Sequence, residues 1–119
     1  MAASSHAIQT AREAARAAAA KLAGEPVAFD VSERLGIADV FLIASATNER
    51  QVGAVVDGIE EALLAGGQRP IGREGERDNR WVLLDYQDVI VHVQHAEERA
   101  LYGLERLWKD CPAVELSLA

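Results

Sequence analysis

The stretch Trp81–Val93, which reads Trp-Val-Leu-Leu-Asp-Tyr-Gln-Asp-Val-Ile-Val-His-Val, decides the fold. Two apolar runs, Trp81–Leu84 and Val89–Val93, flank the polar segment Asp85–Asp88. Because β-branched and aromatic residues favour strands and Asp favours turns, this pattern predicts a β-hairpin. The turn lacks Asn-Gly and Asp-Gly, which indicates a loop longer than two residues. The second run has little polar surface on either face, as expected of a central strand covered by other elements.

Length, charge and cysteine content limit the possible classes of protein. The 119 residues predict a single domain spanning 1–119, and 12 Lys and Arg against 19 Asp and Glu give a net charge of -7. Such a chain is repelled by phosphate backbones, so we expect no direct nucleic-acid binding, whereas a basic protein partner would suit it. The single Cys111 excludes an internal disulfide and favours a cytoplasmic location with an inert thiol, and no apolar run predicts a membrane span.

The first half of the chain reads as a helix, two strands and a second helix. The first helix is predicted over about 4–23, with Ser4 or Ser5 as its cap. Strands are predicted at 27–31 and 38–44, and the segment between them is a connection. Asn48 caps the second helix, which ends at Gly66, and Gln51 is placed to complete a capping box. The inward face predicted for the first helix is Ile8, Ala11, Ala15, Ala18 and Leu22, and that of the second is Val52, Val55, Val56, Ile59 and Leu63.

The second half adds a short strand, the hairpin and a last helix. A strand is predicted at 69–71, where Pro70 requires an edge or strand start, and a charged loop at 72–80. The last helix is predicted over about 97–109 with Leu101, Leu104, Leu107 and Trp108 directed inward, and the tail 110–119 gives no clear pattern. The order α-β-β-α-β-β-β-α predicts an α/β (α+β-like) fold, with a mixed five-stranded sheet and flanking helices.

Few residues of the sequence form a pattern that indicates metal binding, phosphate binding or catalysis. His92 and His95 would point to opposite faces of a strand, which disfavours joint metal binding, and no Cys pair supports a zinc site. Ser45 lies between a strand and a helix start, but no phosphate-binding motif surrounds it, so a loop or capping role is favoured. No nucleophile, base and orienting group can be assembled from these residues, and no cofactor or metal site is predicted.

Two kinds of residue leave alternatives open. Trp81 and Trp108 are interpreted as core residues or, where exposed beside acids, as binding anchors. Asp85 and Asp88 either stabilise the turn through their own backbone or present an acidic edge to a basic partner.

Four blocks of the sequence resemble the ribosome silencing factor (Iojap-like) family. They occur in the order and spacing of that family: Ala38–Ser45, Asn48–Val52, Trp81–Val93 and Leu101–Trp108. Three positions depart from the family pattern, because Ala46 and Gln87 stand where glycine is common and Ala96 lies near a usual proline. The resemblance implies a sheet similar to that of nucleotidyltransferases, although the Gly-Ser turn and paired acids of those enzymes are missing here.

The same resemblance implies a translational repressor that is not an enzyme. It would bind the large ribosomal subunit through its fourteenth-numbered protein, block association with the small subunit and lower translation during starvation or stationary phase, and it would form a homodimer. The residues expected to contact the ribosomal protein are Trp81, Leu83, Asp85, Tyr86 and Asp88. A large-subunit assembly factor using the same surface is the second hypothesis. A nucleotide-binding enzyme with a degenerate site near Ser45 and Asp39 is the third.

Overall fold

The computed structural model of the chain describes residues 2–118, apart from the side chain of Leu35. Within this range no helix has both the length and the apolar character that a membrane crossing requires. The elements in chain order are α1 Ser5–Ala20, β1 Gly24–Asp30, α2 Ser32–Leu35, β2 Val40–Ala46, α3 Glu49–Ala65, β3 Gly72–Glu74, β4 Trp81–Asp85, β5 Val89–His95, α4 Ala96–Tyr102 and α5 Leu104–Leu107.

The strands form one mixed sheet in the order β1-β2-β5-β4-β3, which confirms the predicted fold class. The central strands β2 and β5 are parallel, with Val40 opposite Val89 and Ala46 opposite His95, and the other pairs are antiparallel. The nearly continuous apolar sequences of β2 and β5 are typical of parallel strands that are covered on both faces. Both strands extend two residues beyond their predicted ends, to Ala46 and His95.

The predicted hairpin is confirmed. β4 and β5 pair antiparallel from Trp81 opposite Gln94 to Asp85 opposite Ile90, and the loop between them is longer than two residues. The Asp85 carboxylate accepts a hydrogen bond from the Gln87 N–H at 2.8 Å, which stabilises the turn. Gln87 has φ 71, the left-handed conformation that glycine adopts without strain. A glycine at this position would remove the strain that the left-handed conformation imposes on glutamine.

Helices α1 and α3 pack against each other and against one face of the sheet. The predicted cap of α1 is confirmed, since Ser4 Oγ accepts from the Ala7 N–H at 3.0 Å. The predicted end and inward face were wrong in part: α1 ends at Ala20, and Leu22 takes a left-handed φ of 61 and is 81% exposed. The buried residues of α1 are Ala7, Thr10, Ala11, Ala14, Ala15 and Ala18. This face of small side chains allows close approach of α1 to α3 and the sheet.

Helix α3 begins as predicted and buries the predicted stripe. Asn48 Oδ1 accepts from the Gln51 N–H at 2.8 Å, and the five apolar residues named above are its buried residues. The predicted capping box differs in one contact, because Gln51 Oε1 accepts from the N–H and hydroxyl of Thr47 at 3.2 and 3.1 Å. The side chain therefore stabilises the residue that precedes the cap.

The strand predictions at the two edges were wrong in position. β3 is Gly72–Glu74, inside the segment predicted as a loop, rather than 69–71. Pro70 has no N–H to donate, and the ladder with β4 starts only after it. At the other edge β1 starts at Gly24 instead of 27, and a register irregularity between Gly24 and Val27 accommodates Pro26.

The last helix was also predicted incorrectly. It divides into α4 and α5 at Gly103, which has φ 55, and Leu101 and Leu107 are 74% and 60% exposed instead of inward. The left-handed residue changes the direction of the chain, so the apolar periodicity predicted across Gly103 does not continue on one face. A further short helix, α2, lies within the predicted connection between β1 and β2.

The tail, described as far as Leu118, pairs with the outer edge of β1. Ala113 forms a bridge with Phe29, the Asp30 N–H donates to the Pro112 carbonyl at 2.8 Å, and the Val114 N–H donates to the Ala28 carbonyl at 2.9 Å. The tail, which showed no clear sequence pattern, therefore covers one edge of the sheet.

Candidate protein-interaction surface

The two faces of the hairpin have different roles. Side chains alternate along a strand, so Val82 and Leu84 of β4 are buried beneath the helices, whereas Trp81, Leu83 and Asp85 lie on the opposite face. These three predicted contact residues are half-buried. We call this side of the sheet the open face; α4 and α5 cover only part of it.

Trp81 is held in one orientation on the open face. Its indole Nε1 donates a hydrogen bond to His92 Nδ1 at 3.1 Å, and its ring centroid lies 5.0 Å from that of Tyr102. Leu83 lies opposite His92 in the β4–β5 register. A half-exposed indole whose rotation is already restricted loses little conformational entropy on binding, which favours a role as an interface anchor.

His92 supports Trp81 from the neighbouring strand. Only 6% of the residue is exposed, and burial lowers the pKa of its imidazole to about 4. The ring is therefore neutral at physiological pH, and Nδ1 is free to accept the indole hydrogen bond. The Phe41 ring also packs against this imidazole in an edge-to-face arrangement, with centroids 5.1 Å apart.

The turn places the other predicted contact residues at different depths. Asp85 is half-buried on the open face, two residues from Leu83 along β4. Asp88 is exposed in the turn, where its main-chain carbonyl accepts from the N–H groups of Asp39 and Val40 at 2.8 and 3.1 Å. Tyr86 is only 8% exposed and belongs to the hydrophobic core, where burial raises its pKa to about 12. The structure thus brings Trp81, Leu83 and Asp85 together and separates the Tyr86 ring from them.

Two arginines fix α4 against the sheet. Arg80 donates to Glu97 at 2.9 Å and Glu98 at 2.8 Å, and these carboxylates raise its pKa above the usual value. Arg99 donates to Glu105 at 2.8 Å and to Ser45 Oγ at 3.0 Å. These contacts keep α4 in the position from which Tyr102 reaches Trp81.

The candidate enzymatic residues have structural contacts instead of a shared site. Asp39 Oδ2 accepts from the Ser4 N–H at 2.9 Å, and Ser45 receives the Arg99 bond. Asp39 and Ser45 are separated by six residue-to-residue steps of extended chain, a distance of roughly 20 Å. Within residues 2–118 no group of three His, Cys, Asp or Glu side chains could hold a metal ion.

Sequence reasoning missed two residues that build the surface. Tyr102, which is 54% exposed, packs against Trp81 with its ring tilted by 49°, whereas the predicted inward residue was its neighbour Leu101. Gly103 could have indicated this arrangement from the sequence, because a glycine inside a predicted helix marks a possible helix end. Arg80 lay in a segment predicted as a loop, and its three acidic neighbours come from distant parts of the sequence.

Comparison with known proteins identifies the family. The sequence model of the family described as "Ribosomal silencing factor during starvation" matches residues 4–119. A protein named Ribosomal silencing factor RsfS from Halalkalibacterium halodurans is 43% identical over 96 residues, covering 81% of this chain and 82% of the relative. The protein of the same name from Bacillus subtilis is 39% identical over 103 residues, covering 87% of each chain.

A solved structure agrees with the sequence relatives. The crystal structure of a Chromobacterium violaceum protein superposes with a TM-score of 0.82 at 28% identity, covering 85% of this chain and 84% of the other. The resemblance stated from the four sequence blocks is confirmed. The chain belongs to the ribosomal silencing factor family.

Proposed function

We propose that this protein binds the large ribosomal subunit through its fourteenth-numbered protein and sterically prevents association with the small subunit. Family membership supports a ribosome-associated regulator. The observation that best supports a contact surface on the open face is the fixed orientation of Trp81, which lies between Leu83 and the exposed ring of Tyr102. An oriented aromatic side chain with apolar neighbours is the usual centre of a protein interface.

The charge distribution favours a ribosomal protein over ribosomal RNA as the direct partner. The net charge of -7 opposes contact with phosphates, whereas Asp85 on the open face and the exposed Asp88 in the turn would match basic groups on a ribosomal protein. Tyr86 is buried, so in this proposal it supports the turn from the core while the other four predicted residues make the contact.

The proposal extends to when and where the protein acts. The description of the matching family includes starvation, which supports action when nutrients are scarce. Ribosomes as the partner support a cytoplasmic location. A homodimer is part of the proposal because the family resemblance implies it, and sedimentation equilibrium at micromolar concentrations tests it.

Sedimentation with purified large subunits tests the contact surface. The wild-type protein is expected to travel with the large subunit and Trp81→Ala to remain near the top of the gradient, with circular dichroism showing that the variant is folded. Leu64→Ala is the matched control, since Leu64 is an exposed apolar residue on α3, outside the open face.

Two results would contradict the proposal. Wild-type protein that does not sediment with large subunits would remove the ribosomal partner. Equal binding by folded Trp81→Ala and wild type would remove Trp81 from the interface.

A further inference from the structure

The two edges of the sheet differ in how they are covered. The tail pairs with β1 at Phe29, so that edge is occupied by the chain itself. At the other edge all three residues of β3 are exposed, and within residues 2–118 the strand pairs with β4 alone. An edge of this kind leaves N–H and C=O groups available to another strand.

The register of β3 leaves open space beside one carboxylate. Gly72 lies opposite Asp85 and Glu74 opposite Leu83, so both β3 residues are on the open face. A Cβ at Gly72 would meet no atom within 4 Å. A side chain from a strand added beside β3 can therefore cross Gly72 and reach Asp85, whose carboxylate bonds only to the turn within the described residues.

A groove beside Glu74 has the lining that a basic side chain needs. It measures about 260 Å³ and is lined by Glu74, Gly75, Trp81 and Leu83. A Cβ at Gly75 would collide with the carbonyl oxygen of Trp81, so glycine permits this close approach. Glu74 has no ion pair within the part of the chain that the structure describes. The Trp81 indole and Leu83 can pack against the aliphatic stem of a Lys or Arg side chain, and the Glu74 carboxylate can pair with its charged end.

The opposite face of β3 does not repel a basic segment. Arg73 forms ion pairs with Glu60 at 3.1 Å and with Glu76, so two carboxylates neutralise its charge. A second copy of this chain is a poorer occupant of the edge. Antiparallel pairing of two β3 strands centred on Arg73 would place Glu74 of each copy opposite Gly72 of the other. One carboxylate would then approach Asp85, and like charges in such positions are destabilising.

We propose that the β3 edge receives an extended, basic segment of the protein partner as an added strand. One Lys or Arg lies across Gly72 toward Asp85, and another enters the groove between Glu74 and Trp81. The inference rests on the proposed function, because it takes a basic ribosomal protein as the partner. Main-chain pairing would supply affinity, and the two side-chain positions would supply selectivity.

Three variants and one exchange measurement test the added strand, with purified large subunits as the probe. Gly72→Val fills the space above Gly72 without a clash in the free protein and places a strand-favouring residue in β3. Glu74→Lys reverses the charge of the groove. Glu61→Lys is the control, because it makes the same change in net charge at an exposed site on α3.

We expect Gly72→Val and Glu74→Lys to weaken subunit binding by about tenfold or more, the effect of losing an interface hot spot, while Glu61→Lys stays close to wild type. Hydrogen exchange should slow at the amides of 72–74 when subunits are bound. The inference is overturned, while the proposed function stands, if the wild type binds, both edge variants bind with the same affinity, and exchange at 72–74 does not slow. Slowing at 72–74 in the free protein as its concentration rises would identify a second copy as the occupant and also overturn it.

Discussion

The indole Nε1 of Trp81 and the Nδ1 of His92 are joined by a hydrogen bond of 3.1 Å across the two strands of the hairpin. The bond requires an unprotonated Nδ1, since an imidazolium nitrogen has no lone pair to accept it. The orientation of the surface tryptophan therefore depends on the protonation state of a buried histidine.

This dependence predicts a specific effect of pH on stability. Burial lowers the pKa of His92 to about 4, from 6.5 in the unfolded chain. Between these two pH values the unfolded chain binds a proton that the folded chain does not. The stabilisation that the neutral His92 gives the folded state is therefore fully present above pH 6.5 and is lost as pH falls from 6.5 through 4. Urea unfolding is expected to give about 2 kcal/mol less stability at pH 5 than at pH 7.5 from this group.

The variant His92→Asn isolates the histidine from other titrating groups. Its amide oxygen can replace Nδ1 as the acceptor, and it has no proton to gain, so its stability should depend less on pH than that of the wild type. An NMR titration that places the His92 pKa near 6.5 would contradict the argument.

The alanine face of α1 is predicted to tolerate no larger side chain. Ala11 is 0% exposed and lies on the face that packs against α3 and the sheet. Ala11→Leu is expected to lower the free energy of unfolding by about 1–3 kcal/mol through overpacking. The control Ala19→Leu makes the same change at an exposed position of α1 and should alter it by less than about 0.5 kcal/mol. Equal effects of the two substitutions would argue against close helix packing.

The cap of α3 is expected to contribute measurably to stability. Asn48 Oδ1 accepts from the Gln51 N–H at 2.8 Å, so Asn48→Ala leaves a helix-terminal donor without its partner. The expected loss is about 1 kcal/mol in denaturant unfolding. Arg50→Ala removes an exposed side chain in the first turn of the same helix and serves as the comparison. A loss no greater than that of Arg50→Ala would show that the cap is not stabilising.

Tyr86 is predicted to act through its ring and not through its hydroxyl. Its hydroxyl oxygen is buried and has no hydrogen-bond partner within the described residues. Tyr86→Phe should therefore change stability by less than about 0.5 kcal/mol and leave large-subunit binding unchanged. Tyr86→Ala should cost about 3–5 kcal/mol because it empties a core position. Weakened subunit binding by a stable Tyr86→Phe protein would place the hydroxyl in the interface.

Local patterns predicted the centre of the fold well. The hairpin, the two apolar central strands and the α3 stripe follow from alternation or helical periodicity within a few residues, and Asn48 marks its helix start through a local hydrogen bond. These features depend on neighbours in sequence, so the sequence alone contains their physical cause.

The edges and the last helix depend on contacts that no local pattern contains. β3 is a strand because Gly72–Glu74 meets β4, and the tail pairs with β1 far away in the chain. Gly103 redirects the chain, which exposes Leu101 and leaves Tyr102 above Trp81. The strand and turn that contain the predicted contact residues are confirmed, but only the folded chain shows that Tyr86 lies in the core.

The most direct test of the account is the joining of purified ribosomal subunits, followed by light scattering while the protein is added. The account predicts that the joined fraction falls as wild-type protein occupies the large subunit, and that Trp81→Ala at the same concentration leaves joining unchanged. Joining that proceeds to the same extent on large subunits fully occupied by wild-type protein would contradict it.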